Sequence, residues 1–150
     1  MRVLVAFDSL SGNTKEVAEI VAAEVTLLGH ECCTAYATAE HYREQGDFDI
    51  YLLGSWTSDY GRTPPEMKEF IAELVDAKGK PDHVALFGTG ETQWGMEVYC
   101  GAVNRMASFF NSRYPTLKIE QMPHSRKDTD TIQNWVRSVL AQREDACTDE

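Results

Sequence analysis

The sequence is poor in basic residues and contains no long hydrophobic run. It has 14 lysine and arginine residues against 24 aspartate and glutamate residues, so its formal net charge is −10. This charge repels the phosphates of nucleic acids and anionic lipid surfaces, and we expect neither nucleic acid nor a membrane as a partner. Apolar strand residues follow Met1 and Arg2 directly, and the chain has no run long enough to span a bilayer. These features predict neither a signal peptide nor a transmembrane segment.

Cysteine and histidine are also scarce, with four residues of each type. The cysteines are Cys32, Cys33, Cys100 and Cys147. Their spacing matches no metal site, and two adjacent cysteines make a poor structural disulfide. We therefore expect reduced thiols, a cytoplasmic protein and no bound metal.

Apolar strand-like runs alternate with helical patterns along the whole chain. The predicted strands are 3–7, 31–36, 48–54, 83–88 and 117–121, and the predicted helices are 14–28, one from residue 64 onward, 97–112 and 128–143. This alternation predicts an α/β three-layer sandwich, with a five-stranded parallel sheet of order 2-1-3-4-5 and helices on both faces. Residues 1–143 would form one domain, and residues 144–150 would form a frayed acidic tail.

The segment between the first strand and the first helix is rich in hydroxyl groups. It reads Ser9-Leu10-Ser11-Gly12-Asn13-Thr14. Three hydroxyl groups and the N–H groups of the first helical turn can donate hydrogen bonds to one point. The loop contains no lysine or arginine, which favours the single phosphate of a cofactor over a triphosphate. The alternative interpretation is a simple helix cap by Ser11 or Asn13.

Two further loops follow predicted strands and carry large aromatic side chains. They span residues 55–63 and 89–99 and contain Trp56, Tyr60, Trp94 and Tyr99. In an open α/β sheet, ligands bind outside the carboxyl ends of the strands, so these loops would surround one crevice with the first loop. Exposed aromatic rings beside a phosphate site predict that a flat apolar ring lies between them, as in flavin mononucleotide (FMN).

At these loops the chain resembles the flavodoxins, over essentially its whole length. Flavodoxins carry S/T-x-S/T-G-x-T after the first strand, and residues 9–14 match it throughout. Their second loop, T-x-T-W/Y-G-D-G-x-x-P, is similar to residues 55–64. Their third loop, G-S/T-G-D-x-x-Y followed by F-C-x-A-V, is similar to residues 88–94 and 99–103, with two extra residues between the halves. No long insertion interrupts the fifth strand region, so the resemblance is to the short-chain group.

The resemblance implies a low-potential one-electron carrier rather than an enzyme, and no residue is assigned a catalytic role. Non-covalently bound FMN would cycle between semiquinone and hydroquinone, shuttling electrons from a flavodoxin reductase to acceptor proteins. Trp94 would stack on one face of the isoalloxazine, and Trp56 or Tyr60 would cover the other. The implied cofactor-binding residues are Ser9, Leu10, Ser11, Gly12, Asn13, Thr14, Ser55, Trp56, Thr57, Ser58, Asp59, Tyr60, Gly61, Gly88, Thr89, Gly90, Glu91, Trp94, Tyr99 and Cys100.

Two positions depart from the family's second loop. The ungapped match puts Ser58 at the stacking aromatic, between Trp56 and Tyr60. It puts Asp59 where the family often has a glycine whose peptide flips beside flavin N5, and Gly61 lies two positions later. Because a Cβ resists positive φ, we expect weaker semiquinone stabilisation than is typical of the family.

Two alternative functions remain open from the sequence. The third loop, with Trp94-Gly95 and Tyr99-Cys100, is also similar to flavodoxin-like activators of manganese ribonucleotide reductase. Those proteins often have asparagine where this chain has Glu91, which favours the plain carrier. The second alternative is a flavin-free regulatory domain of receiver type, which would need more acidic residues than Asp8 alone after the first strand.

The acidic charge predicts partners with basic surfaces, because an acidic rim would steer basic reductases and acceptors into contact. The candidate residues lie on the helix after Pro65 and are Glu66, Glu69, Glu73 and Asp76. An ordinary solvated helix face is the alternative interpretation. Electron carriers need only a small, brief contact, so we expect a monomer.

Overall fold

The computed structural model describes residues 1–37, 39–121 and 123–149, without the side chains of Asp59 and of residues 147–149. Strands and helices alternate along these residues. The elements are β1 (Arg2–Asp8), α1 (Asn13–Leu27), β2 (Glu31–Tyr36), β3 (Ile50–Ser55), α2 (Pro65–Lys78), β4 (Val84–Gly90), α3 (Gly101–Phe110), β5 (Leu117–Glu120) and α4 (Arg126–Asp149). Short 3-10 turns lie at Asp59–Gly61 and Thr92–Trp94.

The five strands form one parallel sheet in the order β2-β1-β3-β4-β5, which confirms the predicted topology. In the register of the central strands, Phe7 pairs with Gly54 and Gly54 pairs with Phe87. A Cβ on Gly54 would overlap the ring of Phe87, so the ring can pack over position 54 only because this residue is a glycine. The carboxyl ends of β1, β3 and β4 therefore lie side by side at one edge of the sheet.

The sheet separates two apolar cores because its strand residues alternate between the two faces. On one face, Val3, Val5 and Leu52 pack with α1 and α4. On the other face, Leu4 and Leu53 pack with α2 and α3. This arrangement is the three-layer α/β sandwich that the sequence predicts, with helices on both faces.

Two helices differ in length from the prediction. α3 begins at Gly101 rather than at residue 97, because Cys100 adopts a left-handed conformation with φ 50° and residues 96–100 form turns. α4 runs to Asp149 instead of ending at Arg143, and so includes most of the expected tail. Glu144 attaches the start of this extension to the domain, since its Oε1 lies 3.7 Å from His30 Nε2; just before it, Arg143 Nε donates to the Asp49 carbonyl at 2.7 Å.

An ion pair with a buried carboxylate joins the two helices on the first face. Glu24 on α1 is buried, and its Oε1 accepts a hydrogen bond from Nε of Arg137 on α4 at 2.7 Å. A buried carboxylate needs such a partner, so the pair fixes α4 against α1. Among the described residues, no helix combines the length and the apolar character required to cross a membrane.

Candidate functional site

A cleft of about 750 Å³ opens where β1, β3 and β4 end. Its volume lies within the range of small-molecule and cofactor sites. The lining residues come from the three predicted loops and from one further position, Gln121: Leu10, Ser11, Asn13, Trp56, Thr57, Ser58, Tyr60, Gly61, Thr89, Gly90, Glu91, Trp94, Val98 and Gln121. The three loops that the sequence analysis placed around one crevice are therefore brought together.

The first loop turns tightly into α1. The Ser9 side chain is buried, and its Oγ accepts hydrogen bonds from the N–H groups of Gly12 at 3.1 Å and Lys15 at 3.2 Å. Gly12 precedes the helix at φ 97°, a conformation that favours glycine. The N-cap residue of α1 is Gly12, so neither Ser11 nor Asn13 holds that position. The Ser9 hydroxyl group instead accepts a hydrogen bond from the first turn of the helix.

A buried hydrogen bond attaches the start of α1 to the third loop. The hydroxyl groups of Thr14 and Thr89 lie 2.8 Å apart, and both residues are buried. Thr89 belongs to β4, at the base of the loop that carries Trp94. The phosphate-type loop and the aromatic loop are therefore held at a fixed separation by a polar pair inside the domain.

The second loop is a tight reversal between Ser58 and Arg62. Ser58 N–H donates to the Arg62 carbonyl at 2.9 Å, and Ser58 Oγ donates to the same oxygen at 3.0 Å. At the tip, Tyr60 has φ 58° and Gly61 has φ 77°. A left-handed conformation is costly for a tyrosine, and such strain is found mainly at functional sites.

The amino-terminal end of α3 supports this reversal. Gly101 packs against the backbone of Gly61, since a Cβ on Gly101 would lie 2.7 Å from Gly61 Cα. Arg105 Nε donates to the Gly61 carbonyl at 2.9 Å, and Thr57 Oγ1 accepts from the Ala102 N–H at 3.3 Å. The left-handed turn is therefore stabilised by contacts with α3 as well as by hydrogen bonds within the loop.

The third loop is held by carboxylates. Glu91 Oε2 accepts a hydrogen bond from the Trp94 indole N–H at 3.1 Å and another from the Gln93 amide. Glu120 at the end of β5 accepts from the Thr92 N–H at 3.2 Å and from the Thr92 hydroxyl. The indole of Trp94 is thus oriented by a negatively charged acceptor at the rim of the cleft.

Three large side chains that line the cleft are exposed to solvent. Tyr60 is 84% exposed, and Leu10 and Trp94 are each 72% exposed. Trp56 is only partly exposed, and its backbone N–H donates to the Asp8 carbonyl at 3.3 Å, which links the start of the second loop to the end of β1. Such a concentration of exposed aromatic surface around a concave site is typical of a ligand-binding site.

Among the predicted site residues whose side chains the structure describes, seven do not line the cleft. They are Ser9, Gly12, Thr14, Ser55, Gly88, Tyr99 and Cys100. The side chains of Ser9, Thr14 and Ser55 are buried behind it, and that of Asp59 lies outside the described residues. Gly88 and Cys100 support the site from beneath: a Cβ on Gly88 would overlap β3, and one on Gly90 would lie 3.1 Å from Cys100 Sγ.

Two lining residues were missed. Val98 follows the two-residue insertion in the third loop. It packs against Gly61, since a Cβ added to Gly61 would lie 3.4 Å from Val98 Cα. Gln121 follows β5 at φ 56°, and its N–H donates to the Gly90 carbonyl at 2.8 Å. The position of Gln121 after a strand that neighbours β4 was a usable signal, since strand ends in parallel sheets carry ligand-binding residues.

The thiol of Cys100 is unsuited to nucleophilic chemistry. Burial raises its pKa to about 11, and burial likewise raises the pKa of the neighbouring Tyr99 to about 12. At neutral pH the thiolate population is therefore very small. This agrees with the absence of a catalytic assignment and with a structural position for Cys100 under Gly90.

A second group of polar side chains lies away from the cleft. His41 Nδ1 is 2.8 Å from Glu73 Oε1 and 3.8 Å from Glu69 Oε1. Hydrogen bonding to Glu73, followed by the charges of Glu73 and Glu69, raises the pKa of His41 above 6.5. These three groups could geometrically hold a cation, but they are accounted for as an ion-paired surface cluster that anchors the segment after β2 to α2.

Comparison with known proteins identifies the class to which this fold and cleft belong. Residues 4–119 match the family model described as a flavodoxin domain. The chain therefore belongs to the flavodoxin family, whose members bind a flavin and carry electrons. It is of the short-chain type, since β5 is a single uninterrupted strand.

Individual relatives agree with this assignment. The chain is 25% identical to the probable flavodoxin 1 of Bacillus subtilis, over 93% of this chain and 90% of the relative. The oxidised flavodoxin 2 of Bacillus cereus superposes with a TM-score of 0.74 at 26% identity, covering 95% of this chain and 99% of that one. The flavodoxin of Fusobacterium nucleatum bound to flavin mononucleotide shares the fold with a TM-score of 0.75 at 11% identity, over 94% and 98% of the two chains.

The protein is accordingly a flavodoxin electron carrier and not an enzyme in the catalytic sense. This result favours the carrier over the two alternatives raised by the sequence, the ribonucleotide reductase activator and the flavin-free regulatory domain.

Proposed function

We propose that this flavodoxin binds FMN non-covalently in the cleft and carries single electrons at low potential between a reductase and acceptor proteins. The observation that supports this proposal is the lining of the cleft. It combines a hydroxyl-rich loop at a helix N-terminus with the exposed aromatic rings of Tyr60 and Trp94. FMN has the matching arrangement, with a phosphate at one end and a flat ring system at the other. The FMN-bound relative from Fusobacterium nucleatum has the same fold.

The phosphate would be held at the first loop. Ser11 and Asn13 line the cleft there, and the positive end of the α1 dipole favours an anion. Ser9, Gly12 and Thr14 would act indirectly, since the first two form the turn and the third bonds Thr89. The loop binds its anion with neutral donors, so the geometry of these donors decides the affinity.

The isoalloxazine would lie between Trp94 and Tyr60. Tyr60 is the better candidate for the second wall because it projects from a supported turn and is 84% exposed, whereas Trp56 is partly buried. Covering both rings with a ligand removes apolar area from water. Trp56, Thr57 and Ser58 would then form the floor of the cleft beneath the ring.

The bound flavin supplies reversible one-electron chemistry, and this chain's residues would set its potential. Glu91 lines the cleft, and its carboxylate accepts a hydrogen bond from the Trp94 indole N–H. A nearby carboxylate disfavours a negatively charged reduced flavin, and the formal net charge of −10 acts in the same direction. The expected consequence is a low potential for the second electron.

Partners would approach the open face of the cleft through basic surfaces. Glu66, Glu69 and Asp76 are exposed on α2, which begins directly after the second loop. Complementary charge raises the rate of encounter. The free thiols of Cys32, Cys33 and Cys100 support a reducing compartment, the cytoplasm, and the protein would act as a monomer.

The proposal is tested by titrating the purified apoprotein with FMN and with riboflavin while following flavin fluorescence. We expect FMN to bind more tightly than riboflavin, because only FMN engages the first loop. Trp94→Ala should weaken both flavins by about tenfold or more, since it removes one stacking wall. Phe109→Ala is the matched control, as Phe109 is an exposed aromatic residue on α3 that does not line the cleft. Equal binding of FMN and riboflavin, or no binding, would overturn the assignment.

A further inference from the structure

Tyr36 lies outside the cleft but contacts the loop that would hold the phosphate. It is the last residue of β2 and pairs in register with Phe7 of β1. Its hydroxyl group donates a hydrogen bond to the carbonyl oxygen of Ser9 at 3.0 Å. Neither the loop motif nor the list of lining residues includes Tyr36.

The ring of Tyr36 is held firmly enough to fix the position of its hydroxyl group. It packs on Phe7 with the ring centroids 4.9 Å apart, and the next residue, Ala37, donates its N–H to the Phe7 carbonyl at 2.7 Å. The hydroxyl group therefore approaches Ser9 from the β2 side of the loop. A side chain anchored in this way loses little additional freedom on forming the bond.

The bond determines the direction of a neighbouring backbone donor. The carbonyl group of Ser9 and the N–H group of Leu10 belong to one planar trans peptide, so they point to opposite sides. Because Tyr36 holds the carbonyl toward β2, the Leu10 N–H is directed away from β2, and Leu10 and Ser11 line the cleft. An anion at this end of the cleft would meet a donor that is already oriented.

The ring of Tyr36 also lies near a positively charged side chain next to the loop, whose residues 9–14 include no lysine or arginine. The ammonium group of Lys15 lies 5.9 Å from the centroid of the Tyr36 ring, near the outer limit of a cation–π contact. Lys15 is also the residue whose N–H donates to Ser9 Oγ. Tyr36 thus contacts the loop through its hydroxyl group and lies beside the cation in the first helical turn.

We propose that Tyr36 is a positioning residue for the phosphate-binding loop, acting through the Ser9 carbonyl to orient the Leu10 N–H toward the phosphate of FMN. This inference rests on the proposed function. Preorganised donors increase affinity because less ordering is needed on binding, and this loop has only neutral donors within residues 9–14. Tyr36 should therefore matter for the phosphate and not for the isoalloxazine ring.

The test compares Tyr36→Phe, which removes only the hydroxyl group, with Tyr42→Phe. Tyr42 is the matched control, since its hydroxyl group bonds Glu44 and its ring packs on Phe70, away from the loop. We expect Tyr36→Phe to weaken FMN about three- to tenfold, the equivalent of one hydrogen bond, and to change riboflavin affinity less than twofold. Tyr42→Phe should change neither affinity.

Two results would overturn the inference while leaving the proposed function intact. One is unchanged FMN affinity in Tyr36→Phe, and the other is an equal loss for FMN and riboflavin, which would show a general effect on the cleft. Circular dichroism of the apoproteins establishes that the variants are folded. Failure of the unsubstituted protein to bind FMN is a separate outcome that contradicts the proposed function itself.

Discussion

At the scale of single residues, the exposed cluster of His41, Glu69 and Glu73 gives the clearest dependence on pH. Hydrogen bonding to Glu73 is the main reason that the pKa of His41 is raised above 6.5. A raised pKa means that the folded state favours protonated His41. The stabilising contribution is fully present below the unfolded pKa, near 6.5, and is lost as the pH rises through the higher folded pKa.

A titration of the imidazole of His41 by nuclear magnetic resonance checks this prediction. Its midpoint should lie above 6.5 in the unsubstituted protein and move downward in Glu73→Gln. Glu66→Gln, on the same helix but outside the hydrogen-bonded pair, should move it less. Consistently, the stability difference between the protein and His41→Asn should be larger at pH 6 than at pH 9. A midpoint at or below 6.5 would contradict the role assigned to Glu73.

At the scale of secondary-structure elements, α3 determines the shape of the second loop. Ala at position 101 would place its Cβ 2.7 Å from Gly61 Cα, and backbone cannot move aside cheaply. We expect Gly101→Ala to destabilise the apoprotein by about 1–3 kcal/mol and to weaken FMN binding. Asn104→Ala, at an exposed position of the same helix, should stay within about 0.5 kcal/mol. Urea unfolding measures the stability and flavin titration measures the affinity. If Gly101→Ala changed both quantities no more than Asn104→Ala does, α3 would not be what stabilises the second loop.

The pairing of α1 with α4 depends on the buried carboxylate of Glu24. Arg137→Leu would leave this charge without its 2.7 Å partner. The expected loss is about 2 kcal/mol, less than for a fully buried pair, because the Arg137 side chain is 54% exposed. The double variant Glu24→Leu with Arg137→Leu should recover most of the loss. If the double variant regained none of the lost stability, the packing of Arg137 rather than the unpaired charge of Glu24 would account for the loss.

The elements themselves were largely predictable from the sequence, because apolar periodicity marks strands and helices that face a core. The three loops were predictable as well, since their residues follow strand ends. Contacts between distant segments were not, and the bonds Thr14–Thr89 and Tyr36–Ser9 have no local signal. The start of α3 was misplaced for a related reason, because the left-handed Cys100 lies beneath Gly90 and takes its conformation from tertiary packing.

At the scale of the whole molecule, the acidic charge should govern encounters with partners. Electron transfer to a basic c-type cytochrome, used as a probe acceptor, should slow by about tenfold between roughly 0.05 and 0.5 M salt. Glu66→Lys with Glu69→Lys should reduce the rate at low salt, whereas Asp130→Lys, on the opposite layer, should have a smaller effect. Stopped-flow kinetics measure both dependences. A rate that rises with salt would contradict attraction by the acidic surface.

The most direct measurement of the central claim is the absorption spectrum of the FMN-loaded protein during stepwise anaerobic reduction. A one-electron carrier should retain its flavin after desalting and show long-wavelength absorbance that grows at partial reduction and disappears at full reduction. The ungapped match puts Asp59 where the family often has a glycine, with Gly61 two positions later. If Asp59 occupies that turn, we expect this band to be weaker than is typical. A retained flavin that is reduced without the intermediate band would contradict one-electron transfer, and a protein that retains no flavin would contradict the cofactor assignment.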